Sequence, residues 1–550
     1  MSLLEKIILF FLILIFLISS FFYSKNFYLD HSHLVPKKGG KIIEASLKQP
    51  LLLNPLFAFT NSADMDLSRM IFSSLLVYQQ NGEIKLDLAQ NFEPAEDGNV
   101  VTFHLKPNVK WHDGKTFTAD DVIFTIDLIK NSKIKTPLYV QFQNISAEKI
   151  DDYTIKLNLD KPYLNFLPNL TFGILAKHVW QDVSPANFPI VEYNFNPIGT
   201  GPFKFKNLQK DKNGNISQVS LKRNEEYFET VPFLENFNFI FFTDQTALKQ
   251  AYDKNTISSV LLEDQEILNN FPAKENFSDH SLRLFQSSGI FLNYKDHPIL
   301  KEKNIRYALE YAINKEKIIQ SVLKDTAEKI DLPCFFGIDN PEIEKRDYNP
   351  EKASELLQNL GWSKNQEGIL TKTEKKKTQI FKLKLFTSDW KDYVEIAKII
   401  QEDLKNIGVD LEVEIMKASQ LKQEILLTRK FEMVLFGETS GHNPDPFIFW
   451  HSSQTKDPGL NISGFENKEA DVFLDEIQKT NNLYEKKEKM KSFLSILHDE
   501  SPAIFLYQPI YIYRTAKNLQ GINLNNVVSP SERFNDVKNW YEKTKRVLGK

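Results

Sequence analysis

The chain has 550 residues, too many for a single ordinary core, so its length predicts two or more domains or one large two-lobed body. Its 68 Lys and Arg side chains against 72 Asp and Glu give a formal net charge of −4, which provides no polyanion-binding field and argues against nucleic acid as a partner. The single cysteine, Cys334, excludes an internal disulfide and a cysteine-based metal knuckle.

The N-terminal segment is the most apolar part of the chain. Residues 7–22, IILFFLILIFLISSFF, carry no charge and, with the residues before them, approach the roughly 20 residues that span a bilayer. The serines near its end stand among Phe and Tyr and fit a cleavage site poorly, so we predict residues 1–24 as a transmembrane anchor in preference to a cleaved signal segment. Lysines follow the segment, but large domains translocate largely regardless of such charge. We therefore place the body outside the cytoplasm and predict residues 25–40 as a short tether.

The stretch VKWHDGKTFTADDV, residues 109–122, gathers a histidine, three aspartates and two threonines. A catalytic or metal-binding interpretation needs His112 and Asp113 to converge on a third group, and no further ligands stand at a suitable spacing. An Asp-Gly pair instead supplies a tight turn, and Thr118 with Asp121 can cap the helix that follows. We predict that this stretch is structural.

Two later stretches carry complete helix signals. In YNPEKASELLQNLGW, Asn349 is the predicted cap, Pro350 takes the first helical position and Gly361 ends the helix. The second helix is predicted from Asn304 to Ile319, where apolar residues recur at helical spacing. Because extended segments alternate with these helices, the sequence predicts a mixed α/β body.

Five stretches, in this order, resemble the family 5 extracellular solute-binding proteins of ABC transporters, which include oligopeptide-, dipeptide- and nickel-binding members. In the fourth of them, Asn314 stands where the family usually has Asp. The five stretches are LLLNPLFA (51–58), FHLKPNVKWHDGKTFTADDVIFT (103–125), NPIGTGPFKF (196–205), NIRYALEYAINKEKI (304–318) and YNPEKASELLQNLGW (348–362).

This resemblance implies an α/β fold with two lobes, the type II periplasmic-binding-protein fold in its three-domain variant. By analogy, domain I would comprise 41–70, 195–283 and 505–550, domain II would comprise 71–194, and domain III would comprise 284–504. Domains I and II would form lobe 1 and domain III lobe 2. Strands crossing between the lobes would act as a hinge, and the ligand would lie buried between the lobes.

The resemblance also implies where the ends of a ligand are held. Peptide-binding members bind the ligand α-amine with an Asp in a segment of the type G/A-D-x-x-D/E-P, because a buried ammonium needs an ionised partner. The matching stretch here is SGHNPDPFIFW, residues 440–450, which places His442 at that position if Asp445 and Pro446 align with the acidic-Pro pair. Dipeptide binders hold the carboxylate with an Arg after a strand-ending Ser, where this chain has Asp389. One expected ligand charge is therefore neutralised and the other is reversed.

Five of the candidate residues have an alternative role. Asp389 or Asp445 could instead pair with a ligand amine, and Asp445 could simply form a turn with the proline after it. His442 could be a loop histidine bonded to backbone, and Trp390 and Trp450 could stack on a ligand or fill core. The predicted ligand-binding residues are Asn54, Asp389, Trp390, His442, Asn443, Asp445 and Trp450.

The predicted function is the extracytoplasmic substrate-binding component of an ABC importer, a monomer that captures peptides and delivers them to a membrane permease. The alternative is the same fold with a non-peptide solute, such as a nickel or other metal chelate or an opine. His442 gives that alternative weight, because nickel-chelate binders of this family use a cleft histidine. We do not expect an enzyme, a cofactor or a resident metal, since the sequence has no nucleophile elbow, H-E-x-x-H or P-loop pattern.

Overall fold

A computed structural model describes residues 3–79, 83–96, 98–160, 162–263, 265–295, 297–335, 337–375, 377–441 and 445–548. The α-helices are α1 Leu3–Asp30, α2 Ser62–Ile71, α3 Ala119–Lys130, α4 Tyr139–Phe142, α5 Tyr163–Phe166, α6 Lys177–Trp180, α7 Gln245–Asp253, α8 Gln265–Asn270, α9 Lys303–Ala312, α10 Lys315–Ser321, α11 Pro350–Asn359, α12 Lys391–Ile407, α13 Ala418–Gln420, α14 Phe447–Trp450, α15 Lys468–Lys479 and α16 Leu483–Glu500. Short 3₁₀ or π turns lie at Ala58–Thr60, Leu167–Leu170, Pro185–Asn187, Glu192–Asn194, Leu421–Leu426, Ser452–Gln454, Pro530–Phe534 and Val537–Asn539.

The strands in the described part of the chain form one large sheet and four small ones. They are β1 Ser32–Lys37, β2 Lys41–Ser46, β3 Leu76–Tyr78, β4 Ile84–Leu86, β5 Ala89–Pro94, β6 Val100–Leu105, β7 Ser146–Asp151, β8 Thr154–Asn158, β9 Phe203–Lys210, β10 Ile216–Arg223, β11 Asn236–Phe241, β12 Ser259–Leu262, β13 Phe277–Leu284, β14 Gln286–Leu292, β15 Ala327–Lys329, β16 Ser363–Lys364, β17 Leu370–Glu374, β18 Lys377–Ile380, β19 Lys382–Ser388, β20 Asp410–Met416, β21 Met433–Thr439, β22 Ala503–Ala516, β23 Asn526–Val527 and β24 Lys543–Leu548.

The large sheet runs through both lobes. Its path is β20-β19-β21-β14-β22-β12-β2-β11-β10-β9, and β13, β15 and β23 pair beside this path. By the predicted domain boundaries, strands β14, β19, β20 and β21 lie in lobe 2, and strands β2 and β9 to β13 lie in lobe 1. The long strand β22 joins the two halves: it pairs with β14 near its start and with β12 and β13 near its end.

The backbone passes between the lobes at two adjacent places. Between β13 and β14, the Phe285 N–H donates to the Val527 carbonyl of lobe 1 at 3.3 Å, and its carbonyl accepts from the Ser440 N–H of lobe 2 at 3.2 Å. The second crossing is β22, which is continuous across the predicted boundary between residues 504 and 505. Two neighbouring crossing strands give the geometry of a hinge, although the domain boundaries stay a prediction.

The stretch 109–122 has the predicted turn and helix cap. Gly114 has φ +90°, which a side chain would disfavour, and the Asp121 carboxylate accepts from the Thr118 N–H at 2.9 Å at the start of α3. The Trp111 indole N–H donates to the same carboxylate at 3.3 Å, and His178 lies 2.8 Å from Asp113. These polar side chains therefore hold the scaffold together, as predicted.

The predicted helix over residues 304–319 is wrong as a single element. The structure has α9 and α10 with a break at Ile313, because the Asn314 side chain accepts from the Lys317 N–H at 2.8 Å and starts a new helix. Helix α11 has the predicted cap, since Asn349 accepts from the Lys352 N–H at 2.9 Å.

The tether predicted over residues 25–40 is also wrong as local structure. Helix α1 continues to Asp30, and β1 then pairs antiparallel with β24, from Ser32 opposite Leu548 to Lys37 opposite Lys543. Helix α1 is exposed along its length and is long and apolar enough to cross a membrane. The last described strand, β24, therefore pairs with the segment that joins this helix to the body.

Candidate functional site

Two glycines and a histidine support one wall of the cleft between the lobes. A Cβ on Gly199 would lie 1.9 Å from the Ile71 carbonyl oxygen, and the Gly201 N–H donates to that oxygen at 2.8 Å. The ring of His112 bonds both ends of this segment: Nδ1 accepts from the Gly199 N–H at 3.3 Å, and Nε2 donates to the Gly201 carbonyl at 3.1 Å. Residues 111–114 (WHDG) and 199–201 (GTG) thus hold the end of α2 in place, and α2 is the helix that carries Arg69.

A cavity in this wall, called here the lobe-1 cavity, has a volume of about 540 Å³. Asn525 and Asn526 line it together with aromatic and charged side chains. Its charged lining residues are three cations and three anions, namely Arg69, Lys85, Lys538, Asp87, Glu229 and Asp536. The balance of signs suits a ligand that carries both charges, such as a zwitterion.

Arg69 presents an unused set of donors to the lobe-1 cavity. Among the described residues, its guanidinium has no hydrogen-bond or salt-bridge partner, and burial lowers its pKa against the opposing effect of Glu532 and Asp87. Asn535 presents an unused acceptor: its Nδ2 donates to the Tyr78 carbonyl at 3.0 Å, while its buried Oδ1 has no partner in the described structure. Unmet donors and an unmet acceptor that line one cavity are suited to a polar ligand.

Two carboxylates of the same cavity are already engaged. Asp87 accepts from the Ser74 N–H at 2.9 Å, and burial raises the pKa of Asp87 to about 6 despite this bond. Glu229 makes ion pairs with Lys106, at 3.3 Å, and with Lys538. Arg69 therefore differs from these two carboxylates, because its side chain has no direct partner among the described residues.

A second cavity, the crossing cavity of about 470 Å³, lies between the lobes and shares Asn525 and Asn526 with the lobe-1 cavity. Phe285 and Gln508 from the crossing strands line it, and Cys334 belongs to its lobe-2 side. Burial raises the pKa of the Cys334 thiol to about 12. The lobe-1 cavity therefore adjoins the crossing cavity at Asn525 and Asn526.

A third and smaller cavity, the Trp390 cavity of about 130 Å³, also has walls from both lobes. Leu262 and Glu263, at the end of β12, face Trp390 and Tyr393, at the start of α12. The Trp390 side chain is 59% exposed, and its ring centroid lies 5.6 Å from that of Tyr393. This exposure favours a ligand-stacking role for Trp390 over a core-filling one.

Trp450 and Asp445 are engaged within lobe 2. Trp450 is 1% exposed and its ring stacks on Phe291 at a centroid distance of 6.1 Å, which favours its core-filling alternative. Asp445 accepts from the Phe447 N–H at 3.0 Å and from the Gln478 side chain, which favours its turn-forming alternative.

The other predicted ligand-binding residues have different surroundings. Asn54 is fully buried, and its side chain donates to Asn194 at 3.0 Å and accepts from the Leu56 N–H at 3.0 Å. Asp389 is exposed beside Trp390. His442 and Asn443 lie outside the described residues, so their roles stay predictions. No group of three or more His, Cys, Asp or Glu side chains in the described structure could hold a metal ion.

Sequence reasoning missed Arg69, Asn535 and Glu438. Glu438 is partly buried beside the crossing strands, where Ser287 is its cross-strand partner, and burial raises its pKa to about 8. An arginine on an amphipathic helix is usually solvated, so nothing in the sequence singled out Arg69. Its place in the lining of a cavity depends on how α2 packs in the folded chain. No local pattern in the sequence marks these three residues.

Two lobes on one continuous sheet, with two crossing strands and polar cavities at the hinge, define the class of two-lobed solute-binding proteins. The sequence matches the family described as bacterial extracellular solute-binding proteins, family 5 (middle), over residues 83–459. This chain belongs to that family.

The relatives include the oligopeptide-binding protein AppA of Bacillus subtilis (strain 168), 28% identical over 92% of this chain and 92% of that protein. The dipeptide-binding protein of Escherichia coli (strain K12) is 26% identical over 87% of this chain and 91% of its own length. Among solved structures, NikZ from Campylobacter jejuni in complex with Ni(L-His) has a TM-score of 0.68 and 28% identity, and the match covers 92% of this chain and 100% of that one.

Proposed function

We propose that this chain is the substrate-binding component of an ABC importer, that it captures peptides between its lobes, and that it delivers them to a membrane permease. Lobe closure would stabilise the bound state because the ligand contacts both lobes only when the cleft is shut. The protein would bind its solute and leave its covalent bonds unchanged.

The observation that carries this proposal is the pair of unused polar groups in the lobe-1 cavity. Arg69 offers a guanidinium without a direct partner, and Asn535 offers a buried acceptor without a partner among the described residues. A peptide supplies both complements, a carboxylate for the guanidinium and N–H groups for the acceptor. Peptide binding by relatives named for oligopeptides and dipeptides supports the same ligand class.

The localisation we propose is a single-pass anchor with the body outside the cytoplasm. Helix α1 has the length and composition of a membrane span, and the family is extracellular. An uncleaved anchor would keep the protein near its permease and raise its effective concentration there. We propose that it acts as a monomer.

A metal chelate is the second candidate ligand, with an opine as a further non-peptide possibility. If Asp445 and Pro446 align with the acidic-Pro pair of the family's peptide binders, His442 takes the position of their Asp, and imidazole is a common metal ligand. The similar NikZ structure holds a nickel–histidine complex. A chelate would also bring carboxylates to Arg69.

Native mass spectrometry of the full-length chain, purified without denaturation, tests the proposal. We expect co-purified masses that form a peptide distribution and that disappear after unfolding and refolding. The full chain is required, because removal of residues 1–40 would delete β1 and leave β24 without its partner.

Binding after refolding separates the two candidates. A peptide mixture should restore the bound masses without added metal, and His442→Ala should then have little effect. Binding that requires Ni²⁺ with histidine and is lost in His442→Ala would contradict the peptide proposal. Turnover of any bound solute would contradict the proposed class of function.

A further inference from the structure

The antiparallel pair of β1 and β24, called here the juxtamembrane ribbon, carries a concentrated positive charge. Its twelve residues, SHLVPK and KTKRVL, include four cations and no carboxylate. Every residue of β24 is exposed. The body as a whole is slightly acidic, with a formal charge of −4, so this charge is a local feature of the chain ends.

The register places three lysines on one face of the ribbon. Lys37 stands opposite Lys543, and Val35 stands opposite Lys545 two residues further along. Side chains two residues apart on a strand share a face, so Lys37, Lys543 and Lys545 project together. His33 and Val547, the next cross-strand pair, extend this face toward α1.

Arg546, on the opposite face, ties the ribbon to the end of α1. Its guanidinium Nη1 donates to the Ser32 carbonyl at 3.3 Å and to the Leu29 carbonyl at 3.5 Å, and the Tyr28 hydroxyl donates to the Arg546 carbonyl at 3.3 Å. A cation at a helix C-terminus complements the unpaired carbonyls there. The ribbon is therefore joined to α1 without an intervening flexible linker.

The length of α1 places the ribbon near a membrane surface. Counted from Ile7, about 20 residues at about 1.5 Å each cross a hydrocarbon core of about 30 Å and end near Asn26. The rest of the helix, to Asp30, adds about 6 Å at the same rise. The ribbon begins at Ser32, about 9 Å beyond that boundary, which is roughly one Debye length, and its three lysines lie three to five residues further along the strands.

Carboxylates flank the ribbon without neutralising its lysine face. Glu542 accepts from the Lys41 N–H at 2.8 Å and from the Asn518 side chain at 3.3 Å. Asp30 stands at the last position of α1, beside the carbonyls that Arg546 caps. In the part of the chain that the structure describes, no carboxylate pairs with the three lysines, so they remain a positive surface on the ribbon that follows α1.

We propose that the lysine face of the juxtamembrane ribbon binds the headgroups of anionic phospholipids in the membrane that α1 spans, and so fixes the orientation of the body above its permease. This proposal rests on the proposed anchoring by α1. Electrostatic attraction of basic residues next to a span is strong within a Debye length and is screened by salt. The valines of the same face would add a small apolar contact.

Lysine acetylation of the full chain in lipid nanodiscs tests this proposal. Discs of phosphatidylcholine alone are compared with discs containing phosphatidylglycerol, at low and at high salt, and mass spectrometry measures the rate at each lysine. We expect Lys543 and Lys545 to react roughly fivefold more slowly in the anionic discs at low salt, and this protection to disappear at high salt. Lys417 and Lys422, exposed on lobe 2, serve as controls with equal rates in both lipids.

A double variant, Lys543→Gln with Lys545→Gln, provides the second readout and leaves the Arg546 cap in place. Energy transfer from a dye on lobe 2 to a headgroup dye should show a narrow distance distribution for the parent chain in anionic discs and a broader one for this variant. Amide exchange of β1 checks that the ribbon still forms.

Equal acetylation rates in the two lipids would overturn the proposal, and so would protection that appears only when a permease is added. Failure of the anchoring is recognised separately, because the chain would then leave discs of both compositions.

Discussion

The His112 ring accepts from the Gly199 N–H and donates to the Gly201 carbonyl, and so joins two motifs almost ninety residues apart. We expect His112→Ala to reduce the free energy of unfolding by about 1–3 kcal/mol for each group left without a partner. Urea unfolding followed by circular dichroism measures this loss. His104→Ala, at a partly exposed position on β6, is the control, and an equal loss in both variants would contradict the assigned role.

The same histidine predicts a pH dependence of stability. Burial lowers the pKa of His112 from 6.5 to about 4, so between these values the unfolded chain binds a proton that the folded chain does not. The stability contribution is therefore present above pH 6.5 and is lost as the pH falls toward 4. The urea midpoint should drop over this window, and His112→Asn should reduce that drop. An unchanged slope in His112→Asn would show that another group titrates.

The sequence predicted those parts of the fold that depend on neighbouring residues. The turn at Gly114, the α3 cap and the α11 cap each involve groups within a few residues of one another, and all three are confirmed. The ribbon could not be predicted in this way, because Ser32 pairs with Leu548 across the whole chain and neither strand has a strong pattern of its own. The break at Asn314 was not predicted, because apolar residues recur at helical spacing on both sides of it.

The candidate site was predicted less well than the fold for a physical reason. Whether a polar residue binds a ligand depends on whether the protein already satisfies it, and that depends on tertiary contacts. Asn54 and Arg69 show the difference: the first is satisfied by Asn194 and Leu56, and the second has no direct partner among the described residues. The residues adjacent in sequence do not show whether either side chain already has hydrogen-bond partners.

Arg69 should contribute to ligand affinity at a cost in stability. A charge-assisted hydrogen bond to a ligand carboxylate predicts that Arg69→Leu weakens binding by about 10- to 100-fold. Because the free protein holds this guanidinium half-buried and unpaired, the same variant should unfold at an equal or higher urea concentration. Calorimetry with a peptide recovered from the protein measures the affinity. Arg223→Leu, which removes an arginine paired with Glu225 in the same lobe, should leave affinity unchanged.

Of the two tryptophans in the predicted site, we expect Trp390 to bind ligand and Trp450 to stabilise the core. Trp390→Ala should weaken ligand binding and leave stability nearly unchanged, because its side chain is largely exposed. Trp450→Ala should cost about 3–5 kcal/mol of stability, because it empties a packed position in lobe 2. Urea unfolding and peptide titration of both variants measure the two effects. Strong destabilisation by Trp390→Ala would contradict this division.

A buried ion network in lobe 1 should tolerate complete replacement better than partial removal. Arg533 bonds Glu44 at 2.9 Å and Asp66 at 2.6 Å, and Glu44 also accepts from Tyr513 at 2.7 Å. Arg533→Met would remove the cation that pairs with two buried carboxylates and should cost about 3–5 kcal/mol. Adding Glu44→Gln and Asp66→Asn should recover most of that loss. A triple variant as unstable as the single one would show that the arginine acts through packing alone.

Glu438 should give stability the opposite pH dependence to that of His112. Burial raises its pKa from 4.5 to about 8, so between these values the folded chain keeps a proton that the unfolded chain has released. Its contribution is therefore present below pH 4.5 and is lost as the pH rises through 8. Glu438→Gln, which stays neutral, should raise the urea midpoint at pH 8–9 and have little effect at pH 5. Glu355→Gln, at an exposed position on α11, should change neither value, and a similar gain from both variants would show that net charge, rather than burial at the crossing strands, causes the effect.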